Sequence, residues 1–255
     1  MPVRSNATLP ALLCALALAG CGSQPAATLP PAAVLPSAPA AAEPPAGRVV
    51  RTSGTGYAPL HDPRVVTTGG RTFAVDRRAD ALRVLEGGRE IRRVSTGLEP
   101  AAVAAAGDGS QVAVLCVRER VLELFDARTL RRIGRANAGS GPVQVASDGG
   151  RYLYVTDSVG GSVLVFHSRG GLALVRRYGL AGNPWAIVHD ERRRRLWVTL
   201  ASANRLAELT TGRRIRRLGD YPTLRQPSAV AADRGGVSVT GRDQGAVQLL
   251  RPRSR

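Results

Sequence analysis

The sequence predicts an all-β protein: a β-propeller of four-stranded antiparallel blades, built from five repeats of about 41 residues and closed by an outer strand from the amino-terminal side. Three observations carry this. Prolines at 59, 100, 142, 184 and 227 are separated by 41, 42, 42 and 43 residues. After each comes the same succession of short apolar stretches. The fifth repeat stops one strand short.

The elements follow in order within each repeat. The first strand is a short apolar stretch behind the proline: Val65-Val66, Ala101 to Ala104, Val143 to Ala146, Trp185 to Val188 and Ser228 to Ala231. A turn follows, carrying Asp108, Asp148, Asp190 or Asp233 in the last four repeats. One aspartate per turn is turn chemistry rather than a calcium-ligand set. The second strand is Thr72 to Val75, Val112 to Leu115, Leu153 to Thr156, Leu196 to Thr199 and Val237 to Thr240. The third begins at Leu82, Leu122, Val163, Leu206 and Val247, with the alternation of a strand packed on one face. The fourth is Ile91 to Val94, Leu130 to Ile133, Val175 to Tyr178 and Ile215 to Leu218. Residues 110 to 133 lack Gly and Pro and could be drawn as a helix, but the register of the other repeats places two strands and a hairpin there. The fifth repeat has no fourth strand after Leu250; Arg48-Val49-Val50-Arg51 has the pattern of the other outer strands and is expected to supply it.

The amino-terminal part reads differently. Arg4 and the apolar stretch Ala11 to Ala19 form the core of an export signal, too short to span a bilayer as a mature helix. It runs into Leu18-Ala19-Gly20-Cys21, which resembles the lipobox of bacterial lipoproteins. That resemblance implies removal of residues 1–20 and modification of Cys21 by fatty acyl groups such as palmitate. The chain would then be held by lipid on the extracytoplasmic face of the cell membrane, or in the outer membrane of a diderm source. Residues 21–46 are mostly Ala and Pro, with a single acidic residue, Glu43. Such composition builds no core and favours extended polyproline II, the geometry of a tether. The domain reading is therefore 1–20 signal, 21–46 lipidated Cys and tether, and 47–255 propeller.

The third repeat carries a family resemblance. Tyr154-Val155-Thr156-Asp157 resembles the Tyr-Val-Thr-Asn signature of YVTN-family β-propellers, relatives of lactonase-like propellers; Leu196-Trp197-Val198-Thr199 is a looser match. The resemblance covers about 200 residues. It implies fold rather than chemistry. The family usually closes with seven blades, whereas five repeats fit this chain.

The formal charge is +17, and all 36 basic residues are Arg. Basic charge invites polyanions, but an exported protein poor in aromatics is not expected to bind nucleic acid. Arg92-Arg93, Arg131-Arg132, Arg176-Arg177 and Arg216-Arg217 fall on predicted outer strands, where charge guards an unpaired edge. Residues 192–195 are four arginines in a turn. What remains is a basic surface suited to anionic envelope polymers.

The histidines at 61, 167 and 189 lie far apart, and no metal-binding or nucleophile motif appears, so neither metal nor cofactor nor catalytic residue is assigned. Cys116 lies in an apolar run and reads as an inert buried thiol. A ligand site, if propeller geometry holds, lies at the mouth of the central channel. The loops there offer Arg78, Asp80, Arg118, Arg120, Asp157, Asn204, Arg205, Arg242 and Asp243. The function expected is a monomeric, lipid-anchored binding or assembly module at the cell envelope, with envelope proteins as partners. The alternative is a lactonase-like hydrolase on a reduced propeller; the reading leans away from an enzyme.

Overall fold

The computed structural model describes residues 29–51, 62–241 and 245–252. The export signal, Cys21, His61, Pro59, Arg242 and Asp243 lie outside the described residues. Blade one comprises β2 (Val65–Thr68), β3 (Arg71–Asp76), β4 (Ala81–Glu86) and β5 (Arg89–Ser95), after β1 (Arg48–Arg51). Blade two comprises β6 (Pro100–Ala106), β7 (Gln111–Cys116), β8 (Val121–Asp126) and β9 (Arg132–Asn137). Blade three holds β10 (Pro142–Ser147), β11 (Tyr152–Asp157), β12 (Ser162–His167) and β13 (Ala173–Gly179). Blade four holds β14 (Pro184–Asp190), β15 (Arg195–Leu200), β16 (Arg205–Thr210) and β17 (Arg217–Pro222). Blade five is β18 (Pro227–Ala232), β19 (Val237–Gly241) and β20 (Ala246–Leu250), completed on its outer side by β1.

All five sheets are four-stranded and antiparallel. The expected closure is present: Arg48 pairs with Leu249 and Arg51 with Ala246, so both ends of the chain share one blade. Prolines 100, 142, 184 and 227 each open a first strand, and the register shifts directly after each of them. That is where a residue without an N–H belongs, since it costs the ladder no donor. The outer strands correct the sequence reading in part. β9 and β17 begin at Arg132 and Arg217, two residues later than expected. Leu130 turns with φ 61°, and Ile215 is buried in the core instead of starting a strand.

Side-chain alternation explains how the blades stack. On β11, Leu153 and Val155 join the apolar cluster shared with blade two, whereas Tyr154 joins the cluster shared with blade four. Thr156 is buried and donates from Oγ1 to the carbonyl of Trp185, 2.7 Å away in the next blade's first strand. The Tyr-Val-Thr-Asp run thus packs backward, packs forward and ties two inner strands. Four clusters fill the junctions between successive blades. Among the described residues, none joins blade five to blade one.

The arginine pairs do more than guard edges. The second of each pair reaches an acid: Arg93 to Glu90, Arg132 to Glu123 at 2.6 Å, Arg177 to Asp157 at 3.2 Å and Arg217 to Asp220 at 2.8 Å. Arg92, Arg131, Arg176 and Arg216 are exposed.

Candidate functional site: the channel mouth

At one end of the channel, the loops joining second to third strands meet the loops that lead into each first strand. Every second-to-third loop ends on the same backbone geometry. Asp80, Arg120, Gly161, Asn204 and Gly245 have φ of 49°, 58°, 56°, 52° and 48°. This left-handed conformation suits Gly, Asn and Asp; at Arg120 the fold imposes it on a residue that gains nothing from it.

The predicted mouth residues divide into two groups. Several are spent on holding loops. Asp157 is fully buried and accepts from the backbone N–H groups of Ser140 (3.1 Å), Gly141 (2.8 Å) and Gly160 (3.0 Å), and from Arg177. A Cβ on Gly160 would lie 2.1 Å from the Asp157 carboxylate, so that loop requires glycine. Asp80 accepts from the N–H of Glu99 at 2.8 Å. Arg78 donates its backbone N–H to Asp76. The Arg120 carbonyl accepts from Ala138 N–H at 2.7 Å. Arg118 and Arg77 flank Glu99, and hydrogen bonding from Arg77 holds that carboxyl below its usual range.

The second group faces the proline-rich segment. Ala32 packs against the apolar cluster between blades two and three, and the chain then runs across the mouth toward blades four and five. Gln226 donates from Nε2 to the carbonyl of Pro36 at 2.7 Å. Arg225 donates from Nε to the carbonyl of Ala38 at 3.1 Å, and Asn204 from Nδ2 to that of Pro39 at 3.0 Å. Arg205 forms an ion pair with Glu43. Ala38 is buried beneath these contacts. Gln248 then donates from Nε2 to the carbonyl of Ala46 at 2.7 Å, where the segment turns into β1.

This is the chemistry the segment calls for. A run rich in proline has few N–H groups, makes no ladder of its own and leaves its carbonyls as acceptors. Side-chain amides and guanidinium groups supply the donors. Asn204 is oriented for the task, because its Oδ1 accepts from Gln226 N–H at 2.9 Å while its Nδ2 faces Pro39. Sequence reasoning found Asn204 and Arg205 but missed Arg225, Gln226 and the segment itself. The signal available was Glu43, the single acid in a stretch that is otherwise Ala and Pro.

The opposite end combines an apolar ring with polar groups at its edge. A cavity of about 410 Å³ is bordered by Val66, Val103, Val145, Val188 and Ala232, one from each inner strand, with His189 at its edge. Burial pushes the His189 imidazole below its ordinary pKa. Asp148 and Asp233 accept backbone N–H groups within their own turns, as their spacing implied. Among the described residues no three His, Cys, Asp or Glu side chains gather as a metal site, and no helix is long and apolar enough to cross a membrane.

No protein-family model matches the sequence, and no curated protein matches it. Solved structures do. A functionally unknown protein from Desulfotomaculum acetoxidans superimposes with a TM-score of 0.63 at 14% identity, covering 74% of this chain and 68% of its own. The chain is a five-bladed β-propeller. A streptogramin B lyase matches it with a TM-score of 0.57 at 15% identity over 72% of this chain. A virginiamycin B lyase from Staphylococcus aureus, in a catalytically inactive histidine-to-alanine form with quinupristin, matches with a TM-score of 0.55 at 14% identity over 72%. The propeller spans 62% of the first lyase's length and 68% of the second's. At these identities the likeness is one of fold.

Proposed function

We propose that this YVTN-like propeller is a lipid-anchored module on the extracytoplasmic face of the cell envelope, and that it acts by binding other molecules at the channel mouth. One observation carries the binding reading: Asn204, Arg225 and Gln226 already grip an extended backbone by its carbonyls. Such contacts recognise main chain rather than a particular side chain, which suits a module that meets protein segments. The anchor rests on the Leu18-Ala19-Gly20-Cys21 run behind an apolar core. Envelope proteins are the partners, and anionic envelope polymers are drawn to the exposed arginines with an affinity that falls as salt rises.

Labelling cells with a fatty-acid analogue tests the anchor. The full chain should incorporate label and stay with membranes, and Cys21→Ser should lose both. Crosslinking on intact membranes tests the binding role: specific envelope proteins should be captured by the wild type and lost in a chain carrying Asn204→Ala and Gln226→Ala. A capture profile identical in the two would sink it.

The hydrolase alternative draws its support from the other end of the channel. His189, kept neutral by burial, stands at the edge of the cavity with Asp148 and Glu191 among its lining. Turnover of a lactone by the purified protein, abolished in His189→Ala, would replace binding with catalysis.

A further inference from the structure

We infer that residues 36–43 are a ligand bound in cis, and that the mouth takes in trans an extended, Pro/Ala-rich peptide bearing one carboxylate. The inference deepens the binding reading and rests on it.

The recognition elements are spaced along the segment. Carbonyls of residues 36, 38 and 39 each meet a side-chain donor, a small residue at 38 fits the buried position between them, and a carboxylate four residues after Pro39 meets Arg205. A peptide with those features, presented from another molecule, would find the same donors. Proline at 36 and 39 favours the extended shape in advance, which lowers the cost of ordering it.

The contacts are those of a ligand rather than of a structural element. From Leu29 to Pro45 the segment belongs to no sheet; pairing with a neighbour begins only at Arg48. Its hold is a few side-chain hydrogen bonds and one ion pair between half-exposed groups. Neither the blade clusters nor the ring ladder depends on it, apart from the half-buried Ala32 at one end and Ala46 at the other. The donors, by contrast, are built into the propeller. Asn204 ends a second-to-third loop, and Arg225 and Gln226 sit in the loop that enters β18, with Gln226 held at φ 50°. The tether therefore has a second role. It occupies the mouth at the high effective concentration of a linked segment, and a competing peptide must displace it.

The test uses the full chain with residues 33–44 replaced by a Gly/Ser run of equal length, leaving Ala46 and β1 intact. The probe is a fluorescent synthetic peptide of residues 32–46, followed by anisotropy. The replaced chain should bind the peptide saturably and at least tenfold more tightly than the wild type, whose site is filled. Adding Arg205→Glu should weaken binding about fivefold, and a peptide carrying Glu43→Arg should recover it. A folded replaced chain that ignores the peptide, or binding indifferent to Arg205→Glu, overturns the inference. So does loss of cooperative melting in the replaced chain, which would make the segment part of the fold. Hydrogen exchange on the wild type decides independently: amides at 40–43 exchanging much faster than those of β11 support a bound ligand, and equal protection overturns it. Peptide binding with no membrane partner captured would leave this inference standing and remove only the wider role.

Discussion

Blades one and three share topology and the pairing of their second and third strands, yet blade one is half-exposed there while the first three strands of blade three are largely buried. The difference lies in one face. Leu153, Val155 and Leu164 of blade three turn toward blade two and are fully buried. The same register positions in blade one hold Thr72, Ala74 and Arg83, which face away from blade two and toward the end of the ring where blade five closes. On blade five the face turned away from blade four carries Ser238 and Thr240 beside their cross-strand partners Leu249 and Val247. Among the described residues no apolar cluster joins blade five to blade one, whereas an apolar cluster fills each of the other four junctions. The β1–β20 ladder completes blade five itself, bringing the amino-terminal strand onto the last blade. The apolar burial that stabilises the propeller is concentrated in the four junctions between blades one and two, two and three, three and four, and four and five.

One position makes the contrast sharpest. Asp76 and Asp157 both end a second strand. Asp157 is fully buried under three N–H donors and a guanidinium, whereas Asp76 is partly exposed, accepting the solvent-accessible N–H groups of Arg78 and Ala79, with Arg93 3.5 Å away. Removing the buried carboxylate strands its donors, so Asp157→Ala should cost about 3 kcal/mol in urea unfolding. Asp76→Ala should cost less than about 1 kcal/mol. Equal losses would mean that this position is equivalent in the two blades after all. The next pair tests the faces themselves. Leu164→Ala empties a core position and should cost about 2–4 kcal/mol, while Arg83→Ala, which loses only a half-exposed pair with Glu90, should cost under about 1 kcal/mol.

The same contrast explains what could be read from the residues. The inner strands of blades two to four were legible because apolar alternation there answers to neighbours on both sides, and the prolines mark each entry. The outer strands of blades two and four were legible only to within two residues at their starts and four at their ends, because Leu130 and Ile215 are apolar for turn and core reasons that mimic strand starts. The mouth was half legible. Loop position identifies Asn204 and Arg205, but nothing in the sequence says that Asp157 is consumed by backbone donors or that a segment 165 residues away from Asn204 would lie against it. Hydrogen bonds to carbonyls leave no pattern in side-chain identity. Composition suggested a free tether, and composition cannot report what an extended chain lies upon.

The position shared by Asp76 and Asp157 is filled in blade two by Cys116, and this gives the smallest but cleanest effect. Burial, with Glu123 nearby, pushes its thiol from 9.0 up to about 12. Below pH 9 the thiol is protonated in both folded and unfolded chains and costs nothing. Between pH 9 and 12 the unfolded chain ionises while the folded one holds its proton, so stability falls as pH rises. At pH 10 the loss should be about 1.4 kcal/mol, one unit's worth. Because the chain has no lysine and its arginines stay charged, few other groups titrate in this window. The buried Tyr154 phenol, also raised by burial, adds about 0.4 kcal/mol to the fall by pH 10 and more above it. Urea midpoints at pH 8 and 10 should therefore differ by the two losses together in the wild type and by much less in Cys116→Ala, and an unchanged alkaline loss in the variant would show that the thiol is not as buried as its position between the two aspartates requires.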